Sequence, residues 1–227
     1  GLSPFEPIFE RTDIIMSNSP EWIKKSAIYH IYPLGFCGCE RTRDEFSGEV
    51  HRIKKIIEWI PHLKAMSINA VYLGPVFESA AHGYDTSDYT KIDARLGTNE
   101  DFTEVCKALH ENGIKIILDG VFNHSGADSL YFNKFGTYDS LGAYQSKSSP
   151  YYDWYYFKKF PDEYACWWGC DNVPDLNKSN KDYRALVFGK NGVVEKWQKL
   201  GADGWRLDVV DELPIDFVNL LIKKIKS

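Results

Sequence analysis

Short apolar runs rich in β-branched residues alternate along the chain with longer segments whose apolar residues recur every three or four positions. The apolar runs are SAIYHIYPLGF from Ser26, INAVYLGPVF from Ile68, IKIILDGVF from Ile114 and GWRLDVV from Gly204. The first is followed by VHRIKKIIEWIPHLKAM, which places Ile53, Ile56, Ile57 and Ile60 on one helical face until Pro61 ends or bends it. The second is followed by NEDFTEVCKALHENG, expected to start near Asn99 and to stop at Gly113. NKDYRALVFGKNGVVEKWQKLG leads into the fourth run, with a break suggested by Gly189 and Gly192, and PIDFVNLLIKKIKS follows it. Strand and helix alternating in this way predict an α/β fold with a parallel sheet.

One connection breaks the rhythm. From Ser125 to about Asn180 the chain is rich in Tyr, Trp, Gly, Ser and Pro, far longer than an ordinary strand-to-helix loop. The expected organisation is therefore an N-terminal arm over 1–20, a sheet-and-helix body over 21–124 and 181–227, and a small inserted domain over 125–180. With 227 residues, 44% of them hydrophobic and 15% aromatic, the chain can bury a sizeable core. A net charge of -5 without a dense basic run argues against a nucleic-acid partner, and no apolar stretch reaches the roughly 20 residues of a membrane span. Five cysteines, an odd number without zinc-site spacing, favour a reducing, cytoplasmic compartment. The chain begins without Met, so removal of a signal peptide leaves secretion open.

Polar residues collect where the apolar runs end. Asp119, Asn123 and His124 close the third run, and Arg206 and Asp208 close the fourth. Parallel α/β sheets gather ligands and chemistry on their carboxyl edge. Alternate strand residues share a face, so Asp119 and Asn123 point the same way if the strand continues that far. Arg206 and Asp208 share a face too, and the guanidinium is expected to keep the carboxylate ionised, suited to nucleophilic attack or charge stabilisation. Taken singly, Asp119 and Asn123 equally fit turn or capping roles, and Arg206 with Asp208 fits a structural ion pair.

In combination the motifs resemble those of the α-amylase family, glycoside hydrolase family 13. DGVFNH from Asp119 and GWRLDVVDE from Gly204 are similar to two of its signature motifs. VPDLN from Val173 is similar to the motif near the end of its inserted domain, and HGYDTSDY from His82 to the loop after its second strand. LGAYQSKSSPYYDWYYF and WWGCDNVPDLN look like the branch of neopullulanases, cyclomaltodextrinases and related α-amylases. The resemblance implies the N-terminal half of a (β/α)8 barrel, strands one to four, with the insertion after strand three. It also implies retaining hydrolysis of α-glucans, at α-1,4 links with α-1,6 links as a further option, or transglycosylation through the same intermediate. Carried over, Asp208 is the nucleophile, Arg206 positions it, His124 binds hydroxyls, Tyr84 stacks on the sugar, Asp119 braces the network and His82 is a further contact. A non-catalytic glucan-binding or transporter-associated relative is the reading from another class, against which the intact Asp208, Arg206, His124 and Tyr84 argue.

The chemistry needs no cofactor, but many members of the family hold a structural calcium with residues matching Asn123 and Asp175. Glu212 stands where a further ligand is often His, and two hard oxygens do not define a calcium cage. The family's general acid follows a fifth strand, which this sequence does not reach, so the isolated chain is expected to be inactive and to self-associate through open sheet edges. Ala81 stands before HGY where many exo-acting members carry Asp, a pattern closer to endo-acting members. The expected partner is an α-glucan or maltooligosaccharide.

Overall fold

The computed structural model describes residues 19–226; the expected N-terminal arm lies outside the described residues up to position 18. The four apolar runs form β1 (Ile28–Ile31), β2 (Ala70–Leu73), β5 (Lys115–Gly120) and β8 (Gly204–Leu207), hydrogen-bonded in the order β1-β2-β5-β8 and parallel throughout. Between β2 and β5 lies an antiparallel hairpin of β3 (Phe77–Ser79) and β4 (Thr86–Ile92), and the inserted segment holds the short pair β6 (Phe157–Lys159) and β7 (Glu163–Tyr164). The principal helices are α1 (Lys55–Glu58), α2 (Ile60–Ala65), α3 (Asn99–Glu111), α4 (Lys181–Phe188), α5 (Val193–Leu200) and α6 (Ile215–Ile225). No helix among the described residues is long and apolar enough to cross a membrane.

The sequence pattern overran all four strands, the fourth by the three residues after Leu207. Pro33 begins a helical turn over Pro33–Phe36 and ends the first run early, because its fixed φ suits a helix start and it cannot donate to a ladder. The second run divides at Gly74 and Pro75, and its tail becomes β3, which turns back against β4. The third strand ends at Gly120, before Asn123, so the shared face expected for Asp119 and Asn123 does not form. The break between α1 and α2 falls at Trp59, and Pro61 sits in the first turn of α2, while α4 and α5 are separate helices on either side of Gly189–Gly192. Helix α3 starts at Asn99 behind a reciprocal cap: Thr98 Oγ1 accepts from the Asp101 N–H at 3.2 Å and Asp101 Oδ2 accepts from the Thr98 N–H at 2.9 Å. Such a cap contributes about 1 kcal/mol.

Register decides what each sheet face carries. His30 pairs with Tyr72, Tyr72 with Ile117, and Ile117 with Gly204, while Asp119 pairs with Arg206 two residues further along. With a period of two, His30, Tyr72, Ile117, Asp119 and Arg206 share one face. The other face carries Ile31, Val71, Leu73, Ile116 and Leu118, all buried, in one core with Ile53, Ile56, Phe102, Val105, Leu109 and Trp197. The outer strands are more open: Ile28 of β1 is 48% exposed, whereas Ala70 of β2 is fully buried.

Residues 121–180 follow the carboxyl end of β5 and are packed largely through aromatic side chains. Phe132 sits at the centre of their aromatic packing, with Tyr155 at 4.7 Å, Tyr164 at 4.8 Å and Phe157 at 5.9 Å between ring centroids. Tyr131 stacks on Trp154 at 5.3 Å and reaches Tyr89 at 5.8 Å, joining this packing to the main core.

Candidate active site

Asp119 and Arg206, neighbours in register on adjacent strands, meet above the sheet. Arg206 Nη1 donates to Asp119 Oδ1 at 2.9 Å and to Asp208 Oδ1 at 2.7 Å, so one guanidinium nitrogen bridges the ends of β5 and β8. The second oxygen of Asp119 accepts from Tyr84 Oη at 3.2 Å and from Tyr72 Oη. Tyr72 stacks on His30 with centroids 4.4 Å apart and planes inclined by 14°, and the Arg206 guanidinium lies 5.9 Å from its ring.

The surroundings tune these groups in opposite directions. Burial pushes the Asp119 carboxyl above the usual Asp range, although the Tyr72 and Arg206 donors pull it down. Burial works against the Arg206 charge, but hydrogen bonds and attraction from Asp119 and Asp208 outweigh it and raise the guanidinium pKa. Burial also raises the phenols of Tyr72 and Tyr84, so both remain donors at neutral pH. His124 is lowered by burial, against an opposing pull from Asp208, which favours a neutral imidazole able to donate and to accept.

The DGVFNH loop is clamped by its backbone. Tyr183 Oη donates to Phe122 O at 2.7 Å, and Tyr89 Oη lies 2.8 Å from Val121 O and 2.9 Å from His124 O, sharing its single hydrogen between them. His124 bridges to Asp175 of the inserted segment, and the Leu176 N–H donates to Asn123 O at 3.0 Å. The turn bearing His82 and Tyr84 is built by Asp85, whose carboxylate accepts from the N–H groups of Ala81, His82 and Gly83 at 2.8–3.1 Å. Its hairpin is anchored by Asp93 and Arg95, both fully buried, in a two-pronged ion pair at 2.8 and 2.7 Å.

Gly83 has φ +93°, and a Cβ there would lie 2.7 Å from Pro75 Cβ. Gly83→Ala is therefore expected to cost about 1–3 kcal/mol in urea unfolding. An unchanged midpoint would show that the turn is not fixed by this contact.

Tyr84, His124, His82 and Asp208 line one cavity of about 340 Å³, together with Trp167, Cys170, Asn172, Val173 and Val209. The structure thus brings Asp208, His124, Tyr84 and His82 to a common space, with Arg206 and Asp119 behind them. Trp167 lies 5.7 Å from the His124 ring, whereas Trp168 is 83% exposed and donates Nε1–H to Glu212 Oε1 at 2.9 Å. Sequence reasoning missed Tyr72 and Asp85. A Tyr alternating with aliphatic residues in a buried strand, and an Asp two residues after a Gly, are the signals that could have marked them. Larger than this cavity is one of about 480 Å³ by Arg43, Glu78, Lys91 and Tyr138, but it holds none of these residues.

Calcium does not fit the pair, Asn123 and Asp175, that matches the family's ligands. Lys178 Nζ donates to Asn123 Oδ1 at 2.8 Å, so an ammonium faces the oxygen a divalent ion would need. No group of three His, Cys, Asp or Glu residues suited to a metal ion occurs among the described residues.

With this geometry in view, the family model described as "Alpha amylase, catalytic domain" matches residues 30–220. The chain belongs to the α-amylase family, and its four parallel strands are part of that family's (β/α)8 barrel. It is similar to an amylopullulanase of Thermoanaerobacterium thermosulfurigenes, with 40% identity over 203 residues that cover 81% of this chain and 11% of the relative. It is 30% identical to neopullulanase 2 of Thermoactinomyces vulgaris over 92% of this chain and 38% of the relative. Among solved structures, the cyclic α-maltosyl-(1→6)-maltose hydrolase of Arthrobacter globiformis in complex with its cyclic maltosyl-maltose superposes with a TM-score of 0.77. Identity there is 27%, over 92% of this chain and 49% of the other. The chain therefore spans less than half the length of each of these proteins.

Proposed function

We propose that this chain carries the nucleophile side of a retaining α-glucan hydrolase, with 125–180 as an inserted domain roofing the substrate cleft. The observation that supports this best is the Arg206 bridge to Asp119 and Asp208 at a cavity walled by Tyr84, His124 and His82. An Asp208 oxygen attacks the anomeric carbon as the bond to the leaving glycosidic oxygen breaks, giving a covalent glycosyl ester. The leaving oxygen takes a proton from a carboxylic acid about 5–5.5 Å from the nucleophile. Water then takes the place of the aglycone, gives a proton to the carboxylate that served as the acid and attacks the same carbon, releasing the sugar and restoring both Asp208 and the acid.

Arg206 orients Asp208 and offsets its charge. Asp119 fixes Arg206 and the Tyr84 hydroxyl, leaving the Tyr84 ring to cover a sugar face while neutral His124 exchanges hydrogen bonds with hydroxyls. His82 contributes a further contact from the rim. We assign the proton donor to a residue outside 19–226. Asp119 already accepts from three donors, and Glu212 is engaged by Trp168 and Asn123.

Ala81 supplies no carboxylate to hold a chain end, and the Asp85 carboxylate is taken up by the backbone N–H groups of the turn, so the proposed mode is internal cleavage. The full-length protein should release maltose or longer oligosaccharides from a maltooligosaccharide blocked at its non-reducing end. Release of glucose alone, and only from unblocked chains, would overturn this mode.

A further inference from the structure

We infer that the Lys178 ammonium is a built-in cation that ties the inserted segment to the edge of the barrel sheet and replaces a divalent ion there. Three stretches of chain converge on Asn123, the residue before His124. Lys178 Nζ donates to its side-chain Oδ1 at 2.8 Å and approaches its backbone O at 3.3 Å. On the opposite side its Nδ2 faces Asp175 Oδ1 and Glu212 Oε2, each at 3.4 Å. The amide is thus oriented by charge at both ends, oxygen toward the ammonium and nitrogen toward the two carboxylates.

The contacts join the loop after β5 through Asn123, the end of the inserted segment through Asp175 and Lys178, and the loop after β8 through Glu212. Trp168 adds a second link by donating to Glu212. Arg184 Nε donates to Lys178 O at 2.5 Å, fixing the lysine backbone from α4.

The chemistry of this donor set argues for the ammonium over a metal. Calcium takes six to eight oxygens at about 2.3–2.6 Å and would require Asn123 Oδ1, the atom to which Lys178 already donates. Two cations cannot share that oxygen without repulsion in this partly buried setting. One ammonium supplies three donors and a single charge in a cluster that carries two carboxylates. Burial draws the Lys178 pKa down while Asp175 and Glu212 draw it up, and burial raises Asp175, which Lys178 holds down. Removing the ammonium therefore leaves the half-buried Asp175 without the nearby cation that offsets its charge, a cost that solvent around the exposed Glu212 reduces.

The test is thermal unfolding of the full-length protein with and without millimolar calcium or EDTA, for wild type, Lys178→Met and Lys178→Arg. Wild type should show the same Tm in all three solutions. Lys178→Met should melt lower, on the order of 5 °C, and Lys178→Arg should recover most of that loss because it restores the charge. Two results would overturn the inference. One is a wild-type Tm that rises with calcium and falls with EDTA, as binding to the folded state requires. The other is a Lys178→Met protein as stable as wild type. Should Lys178→Met fail to fold, the wild-type calcium titration still decides whether a divalent ion holds this junction.

Discussion

Asp208→Asn should lower kcat in the full-length protein by several orders of magnitude while glucan affinity changes little. The replacement keeps the shape of a side chain that is only 13% exposed, and its amide oxygen can still accept from Arg206 Nη1. It removes the negative charge that would attack the anomeric carbon. In the proposed mechanism that attack belongs to the transition state, whereas ground-state binding comes from the ring of Tyr84 and the hydroxyl contacts of His124. Loss should therefore appear in kcat and kcat/KM together, with a near-normal dissociation constant for a maltooligosaccharide. Activity within about tenfold of wild type, with the substitution verified by mass spectrometry, would remove Asp208 from its assigned role.

Arg206→Met should impair both stability and catalysis, and the stability loss should depend on pH. The guanidinium is the cation shared by Asp119, 1% exposed, and Asp208. Removing one partner of a fully buried ion pair costs about 3–5 kcal/mol, but the Arg206 side chain is 42% exposed and solvent screens part of its effect, so about 1–3 kcal/mol is expected near neutral pH. In wild type the folded Asp119 pKa is already raised by burial, and Arg206 is among the groups opposing the rise. Without Arg206 the folded value moves further up. A carboxyl whose folded pKa exceeds its unfolded value of about 3.9 binds protons more tightly when folded, so its contribution to stability falls as pH rises from that unfolded value through the folded one. The deficit of Arg206→Met should thus be largest at neutral pH and shrink on acidification through the range where folded Asp119 protonates. Urea unfolding at several pH values measures this. A deficit that stayed constant or grew on acidification would contradict the charge account.

The strands were legible because parallel strands are buried on their core face and spell nearly continuous apolar runs; all four sheet strands lie within the runs beginning at Ser26, Ile68, Ile114 and Gly204. Their ends were not, since hydrophobicity continues past the ladder. Pro33 turns the first run into a helical turn, and Gly74–Pro75 sends the second into a hairpin. The same overrun produced the mistaken shared face for Asp119 and Asn123. Period-two reasoning served Arg206 and Asp208 better, because Asp208, just past the end of β8, still donates its N–H to Gly120 O at 3.2 Å, and one Arg206 nitrogen contacts both Asp119 and Asp208. Tyr72 stayed hidden for want of register: only the pairing of β2 with β5 puts it on the face of Asp119. Lys178 stayed hidden because its partner lies 55 residues earlier in the chain, across the inserted segment.

The most direct test of the central claim is to trap the glycosyl ester. The full-length protein is incubated with an α-glucosyl fluoride deactivated so that the ester forms faster than water clears it, then digested and sequenced by mass spectrometry. The account predicts one added glycosyl group on the peptide containing Asp208, located on that residue, and none after pretreatment with a competing maltooligosaccharide. A glycosyl group on any other carboxylate, or steady turnover of the fluoride with Asp208 never modified, would contradict it.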